Sequence, residues 1–157
     1  MKIIYVSGPI VGNASKKNVQ KVIKANMQTA EKFVTALANN GVGFFSPHLN
    51  TVKLTGKTLQ ESQKYYYELD TEFLIRIADA IVVLPGWETS FGVRNEIKIA
   101  KELGLPTFYP KSPEDLDEIL EWYNKASETE EPTKAKENVD WDKVIDIRHA
   151  LSKYKFG

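Results

Sequence analysis

Short apolar runs recur along the chain, and each is ended by glycine, proline or a polar residue. They are IIYVS (3–7), VGFFS (42–46), AIVVLP (80–85) and PTFYP (106–110). Runs of this length and composition are typical of strands that are buried on both faces.

Between these runs, apolar residues recur at helical spacing. The spacing predicts helices over about 19–37, 59–77 and 92–103. Because parallel strands need crossover connections, the alternation predicts an α/β fold. We expect a doubly wound, mostly parallel, Rossmann-like (flavodoxin-like) sheet with helices on both faces.

The C-terminal third divides into three parts. SPED (112–115) predicts a helix start, with Ser112 as the cap and Asp115 completing a capping box. Residues 126–138 contain no large apolar side chain and are typical of a polar linker, so we expect one α/β domain over 1–125. In 139–157, a helix carries Val144, Ile147, Leu151 and Tyr154 on one face. That face must dock on the chain's own core or on a neighbouring subunit.

Composition restricts the partners. The chain has 157 residues, is 42% hydrophobic and 27% charged, and has the balance of one domain with a core. Lys+Arg and Asp+Glu both number 21, so the charge that polymeric nucleic acid or an anionic membrane surface attracts is missing. There is no cysteine and no run of 18 apolar residues, and the N-terminal apolar stretch is too short for a signal peptide. We expect a cytoplasmic protein with no membrane partner.

Several familiar motifs are incomplete. TGKT (55–58) lacks the P-loop glycine, because Thr51 stands at that position, and the dinucleotide pattern G-x-G-x-x-G is absent. His48 and His149 do not form an H-x-x-x-H pair, and a loop or surface position is the ordinary interpretation of both. We expect no metal and no organic cofactor.

Ligands of doubly wound sheets bind where loops leave the carboxyl ends of the strands. Those loops carry YVSGPIVGN (5–13), SPHLN (46–50) and LPGWETSFGVRNE (84–96). The helix that begins near Gly92 points its free amides at the same crevice and favours an anion. Glu96, in the opening turns of this helix, is therefore the candidate for chemistry, although such a glutamate is also an ordinary partner of the helix dipole.

Two segments carry a family resemblance. IIYVSGP and ADAIVVLPGWETSFGVRNEIKIAKELGLP, within about residues 1–112, resemble the nucleoside 2-deoxyribosyltransferase family, including its 2'-deoxynucleoside 5'-phosphate N-hydrolase branch. The resemblance implies that Glu96 is a carboxylate nucleophile attacking the anomeric carbon and that Tyr5 orients it. It also implies an acid that handles the base or its proton, for which Asp70 is the candidate. Asp70 precedes Asp79 by nine residues, whereas the family spacing is eight, and position 71 is threonine.

The resemblance also indicates where a substrate binds. Ser90 is typical of the monophosphate hydrolases, whereas Pro9 and Val11 replace the serine and arginine of their first loop. Asn13, Lys16 or Arg94 are candidates for the missing donors. The expected substrate-binding residues are Ser7, Gly8, Pro9, His48, Asn50, Gly86, Trp87, Ser90, Gly92 and Arg94.

Four functions remain open at this point. The leading expectation is an N-glycosidase that hydrolyses a (deoxy)nucleoside 5'-monophosphate. The alternatives are a deoxyribosyltransferase that exchanges bases and a nucleotide-binding module without turnover. An N-glycosidase of cytokinin-type nucleotides is disfavoured, because Trp87 and Glu88 occupy the turn where those enzymes carry PGGxGT. The resemblance further implies a homodimer or larger assembly.

Overall fold

The computed structural model describes residues 1–54, 63–127, 136 and 138–150. Its four strands are β1 (Ile3–Ser7), β2 (Gly43–Phe45), β3 (Ala80–Val83) and β4 (Thr107–Phe108). They form one sheet in the order β2-β1-β3-β4, and every pair is parallel. The predicted fold class is confirmed. The strand that follows β1 in sequence, β2, lies on one side of β1, whereas β3 lies on its other side. The loops that leave β1 and β3 therefore diverge, and this switch point is where such sheets bind ligands.

Six helices are described. They are α1 (Val19–Asn39), α2 (Pro47–Asn50), α3 (Gln63–Arg76), α4 (Phe91–Glu102), α5 (Asp117–Ser127) and α6 (Trp141–Ala150). Single 3-10 turns occur at Val52–Leu54 and Trp87–Thr89. In the part of the chain that the structure describes, no helix has the length and apolar character needed to cross a membrane.

Alternation along β1 sends neighbouring side chains to opposite faces of the sheet. Ile4 and Val6 pack with the buried residues of α1 and with Leu116 and Ile119 beside and within α5. Tyr5 instead joins a cluster with residues of α3, α4 and α6. We call the first side the α1/α5 face and the second the α4 face. Helices therefore cover both faces, as expected of a doubly wound sheet.

Helix α5 begins later than SPED predicts. The first helical residue is Asp117, five residues after Ser112. The Asp115 carboxylate accepts a hydrogen bond from the Lys111 amide at 2.9 Å, and the Asp115 amide donates to the Ser112 carbonyl at 3.0 Å. These bonds close a turn at 111–115 instead of a capping box, and Leu116 enters the core at its end.

The C-terminal helix docks on its own chain. Val144 of α6 is 1% exposed and belongs to the cluster on the α4 face, and Ile147 packs against that cluster. Lys143 pairs with Glu102 of α4 at 2.8 Å, and Arg148 pairs with Glu72 of α3. Leu151, Tyr154, the TGKT segment and most of the 126–138 linker lie outside the described residues.

Candidate active site

The end of β1 presents two hydroxyl groups to one carboxyl group on α4. Tyr5 and Ser7 are both fully buried. The Tyr5 hydroxyl donates to Glu96 Oε1 at 2.8 Å, and the Ser7 hydroxyl donates to Glu96 Oε2. Both oxygens of Glu96 therefore have a donor. The predicted contact between Tyr5 and Glu96 is present, whereas Ser7, expected to bind substrate, contacts Glu96.

The start of α4 sets the position of Glu96. Ser90 is the N-cap residue, and its side chain accepts a hydrogen bond from the Val93 amide at 3.3 Å. Helix α4 then begins at Phe91, one residue before the predicted start, and Glu96 is its sixth residue. At this position the side chain faces β1 together with the other buried residues of the helix, which include Val93 and Ile99.

Glu96 is held in an environment that opposes its charge. Its exposed fraction is only 7%. Burial raises the pKa of Glu96 to about 7, although the hydrogen bonds from Ser7 and Tyr5 act in the opposite direction. Burial, followed by the charge of Glu96, raises the pKa of Tyr5 well above its ordinary value. Tyr5 therefore remains a neutral donor throughout the range in which Glu96 titrates.

A second buried carboxyl group lies on the neighbouring helix. Asp70 of α3 is 6% exposed, and its Oδ2 accepts a hydrogen bond from the Thr51 hydroxyl at 2.8 Å. Burial raises the pKa of Asp70 to about 7, the Thr51 hydrogen bond lowers it, and the charge of Glu96 raises it again. Asp70 Oδ1 has no hydrogen-bond partner among the described residues. The predicted acid is thus within electrostatic reach of Glu96 and has an oxygen available.

Two further polar side chains near Glu96 were missed in the sequence. The Tyr67 ring packs over the start of α4, where a Cβ on Gly92 would lie 3.5 Å from it. Burial and then the charge of Glu96 raise the pKa of Tyr67, whereas the charge of Arg148 lowers it. The Tyr67 hydroxyl and the Asn95 amide nitrogen are both buried, and a side-chain hydrogen bond from Asn95 also lowers the pKa of Tyr67. The YYY run and the position next to Glu96 were the only available signals, and both are equally typical of packing.

The loop after β1 approaches the end of β3 closely. A Cβ on Gly8 would lie 2.9 Å from the Leu84 side chain and 3.2 Å from His48, so a larger residue would require both neighbours to shift. His48 Nε2 lies 3.0 Å from the Pro9 carbonyl oxygen. Since a carbonyl only accepts, Nε2 carries the proton. Burial lowers the pKa of His48, which keeps the ring neutral.

His48 does not lie at the loop or surface position that its sequence context suggested. It is 1% exposed, so it is neither a surface nor a loop residue but part of the short helix α2. Its contact with Pro9 ties the loop after β2 to the loop after β1. His48 therefore supports the shape of the predicted crevice.

The other predicted binding residues are spread along the strand ends. Pro9 and Gly86 line a cavity of about 300 Å³ between the loops after β1 and β3. Trp87 packs against Tyr109 with their ring centroids 5.6 Å apart. Asn50 is exposed, and the exposed Arg94 guanidinium lies 5.9 Å from the centroid of the Phe91 ring.

The cavity of about 300 Å³ lies at the switch point. Its lining includes Asn13, Asn18 and Thr89 and contains no acidic side chain. A larger surface depression lies between α1 and the turn at Pro113, away from every predicted site residue. Among the residues that the structure describes, no three His, Asp or Glu side chains are grouped closely enough to hold a metal ion.

The chemistry available at Glu96 follows from these contacts. The pKa values of both buried acids are raised towards neutral pH, so one can act as a base or nucleophile while the other is an acid. Neutral hydroxyl donors orient the carboxylate without neutralising it. This pairing suits a reaction in which a carboxylate attacks carbon and a leaving group takes up a proton.

One family model matches the chain. It is described as "Domain of unknown function (DUF4406)" and covers residues 2–109, more than half of the 157 residues. The matched range contains all four strands together with Tyr5, Ser7, Asp70 and Glu96, whereas α5 and α6 lie beyond it. A search of curated proteins found no match.

Proposed function

The chain belongs to the DUF4406 family, a domain of unknown function, and from the geometry of its strand-end site we propose that it is an N-glycosidase. The proposed reaction is hydrolysis of the base–sugar bond of a (deoxy)nucleoside 5'-monophosphate. Glu96 is the nucleophile, Tyr5 orients it, and Asp70 is the proton donor.

One observation carries this proposal. Glu96 is a buried carboxyl group whose two oxygens each accept a hydrogen bond from a neutral hydroxyl group, with a second buried acid in electrostatic reach. A carboxylate placed purely for stability would be paired with a cation or exposed to water, because burial without compensation is destabilising. Within the described part of the chain, no cation forms an ion pair with Glu96.

The first chemical step forms an ester. A Glu96 carboxylate oxygen bonds to the anomeric carbon, the carbon–nitrogen bond breaks, and its electron pair leaves with the base. Asp70 supplies the proton that the departing base takes up. The transition state is oxocarbenium-like, so the negative charge of Glu96 stabilises it before the bond forms.

The second step releases the sugar. Water attacks the same anomeric carbon, the ester bond breaks, and its electrons return to Glu96. The proton of the attacking water passes to the Asp70 carboxylate, which restores the starting state of both acids. A base that replaced this water would give transfer instead of hydrolysis.

Preference for a 5'-phosphate rests on the loops beside Glu96. Ser90 has the residue type of the monophosphate hydrolases, and the first turn of α4 carries no acidic side chain. The neighbouring cavity is also free of acidic side chains, and Asn13 offers an amide donor in its lining. A small anion is favoured at such a helix start.

The test follows free base by chromatography. The protein is incubated with ribo- and deoxyribonucleosides and with their 5'-monophosphates, alongside Glu96→Gln. We expect release from monophosphates only, and its loss in the variant. Release from free nucleosides alone would contradict the phosphate preference, and no release from any substrate would contradict the activity.

A parallel series adds a second free base as an acceptor. Under the proposal, the products remain free base and sugar phosphate. A new nucleoside or nucleotide containing the added base would establish transfer and displace hydrolysis as the function.

A further inference from the structure

Ser7 occupies the last position of β1, directly before the loop that enters the crevice. Tyr5 and Ser7 are two residues apart on one face of the strand, about 6–7 Å along its axis. The Glu96 carboxylate lies between their hydroxyl groups, with Oε1 at Tyr5 and Oε2 at Ser7. Oε2 is therefore the oxygen on the side of the strand's carboxyl end, where ligands of this fold bind.

We propose that Ser7 is a positioning residue whose hydroxyl holds Glu96 Oε2 towards the sugar and keeps Glu96 in the carboxylate form that a nucleophile requires. This inference rests on the proposed function, because it assigns the attacking oxygen of that reaction. It gives Ser7 a role different from the substrate contact expected from its loop position.

The surroundings of Glu96 leave this task to hydroxyl groups. Tyr5 faces Glu96 from β1, and on α3 the charge of Glu96 raises the pKa values of Tyr67 and Asp70. The charge of Arg148 on α6 lowers the pKa of Tyr67, and Arg148 forms its ion pair with Glu72. Both of these partners lie on α3. Tyr5 and Ser7 are the two donors to Glu96 within the described part of the chain. Removing Ser7 therefore leaves Oε2 buried without a donor and favours protonation of Glu96.

The main experiment measures kcat/KM for base release between pH 5 and pH 9. In Ser7→Ala, we expect the acidic limb to move up by about one pH unit, which lowers kcat/KM about tenfold at pH 6 and much less at pH 8. Ser7→Thr keeps a hydroxyl, so its acidic limb is expected to lie at the same pH as in the parent. A uniform loss at every pH, or an unmoved limb, would overturn the proposal.

The matched control is Ser46→Ala. Ser46 is also a buried serine at a strand end, 3% exposed, and its hydroxyl has no hydrogen-bond partner among the described residues. Loss of this hydroxyl is expected to leave the pH profile unchanged. An equal shift in Ser46→Ala would show that the effect comes from any lost strand-end serine, and the assignment of Ser7 would fail.

A second readout needs no turnover. In protein labelled with ¹³C at the glutamate carboxyl carbon, NMR follows the titration of Glu96, identified by the signal missing from Glu96→Gln. We expect a higher midpoint in Ser7→Ala than in the parent or Ser46→Ala. Ser7→Cys keeps the branching of the side chain but has a weaker donor; its midpoint is expected to shift in the same direction, and it serves if Ser7→Ala does not fold.

The two readouts separate this inference from the proposed function. If no substrate releases base but the midpoint shifts, hydrolysis fails while the control of Glu96 ionisation by Ser7 remains. If base is released but the midpoint is the same with and without the Ser7 hydroxyl, the inference on Ser7 is overturned and the proposed function remains.

Discussion

The two faces of the sheet differ in the side chains that the same strand, β1, contributes to them. On the α1/α5 face, β1 contributes Ile4 and Val6, and the buried residues of α1 are all apolar: Ala30, Phe33, Val34 and Leu37. On the α4 face, β1 contributes Tyr5 and Ser7, and the buried residues of α4 include Asn95 and Glu96. Alternation along one strand therefore separates an apolar core from a buried polar network.

The two faces differ in how burial affects stability. Apolar burial on the α1/α5 face is favourable at every pH. The carboxyl groups on the α4 face lose hydration when they ionise, which is why the pKa values of Glu96 and Asp70 are both raised. Buried acids that destabilise the folded state are characteristic of sites selected for chemistry.

The largest expected effect is the loss of activity in Glu96→Gln. The amide keeps the shape of the side chain but lacks a nucleophilic oxygen, so base release is expected to fall at least about 1,000-fold. The measurement is the initial rate of base release at saturating substrate. A residual rate within tenfold of the parent would remove Glu96 from the nucleophile's role.

Glu102→Gln is the matched control for that variant. Glu102 lies on the same helix, and its carboxylate pairs with Lys143 at the surface. Activity is expected to remain within about twofold of the parent, because the partner Lys143 is 58% exposed and such ion pairs contribute little. Glu102 also lies six residues, about 9 Å, along the helix from Glu96. A large loss here would show that the helix, and not the carboxylate at 96, is being tested.

On the opposite face, Leu37→Ala is expected to affect stability and leave the site intact. Leu37 is fully buried against the sheet, so its truncation leaves a cavity and lowers the free energy of unfolding by about 2–5 kcal/mol. Urea unfolding measures the loss, and the rate per folded molecule is expected to be unchanged. A changed pH profile in Leu37→Ala would mean that the two faces are coupled.

Stability itself is expected to fall as pH rises through the titration of Glu96. Its pKa in the folded protein is raised from the ordinary 4.5 to about 7, so the folded state holds this proton more tightly than the unfolded chain. The stabilisation that comes from this tighter proton binding is fully present below pH 4.5 and is lost as pH rises through 7. Between pH 5 and pH 8, we expect the parent to lose about 2–3 kcal/mol relative to Glu96→Gln. Equal pH dependence in both proteins would contradict the raised pKa.

Much of the fold was predictable because the α1/α5 face and the strands depend on local apolar patterning. The runs at 3–7 and 80–85 contain β1 and β3, and the period of α1 ends at the NNG stop as predicted. The start of α5 was not predictable from SPED. Its cap residues are equally able to close a turn, and the position of Leu116 in the core decides between the two.

The polar site was predictable only in part. Glu96 was indicated by its place in the helix after β3, and both Glu96 and Tyr5 were indicated by a family resemblance. The structure brings the two residues into contact across 91 residues of sequence. The contact of Ser7 with Glu96, and the burial of Tyr67 and Asn95 nearby, depend on how α3 and α4 pack on the sheet. No local pattern in the sequence encodes that packing, so these partners were missed.

Comparison of two tyrosines gives the smallest effect and the sharpest contrast between the faces. Tyr5→Phe keeps the ring in the core but removes the donor to Glu96 Oε1, so we expect base release at pH 7 to fall about tenfold and the acidic limb to move to higher pH. The Tyr123 ring packs on the α1/α5 face, and its hydroxyl accepts a hydrogen bond from the Gly43 amide at 3.2 Å. Tyr123→Phe removes that hydroxyl. Its pH profile is expected to match the parent, with a loss of stability of about 1 kcal/mol in urea unfolding. Both variants remove one phenolic oxygen. A shift of the acidic limb in Tyr5→Phe alone would show that the ionisation of Glu96 depends on hydroxyl groups of the α4 face. The same shift in Tyr123→Phe would show that it also depends on the α1/α5 face and would contradict the separation of the two faces.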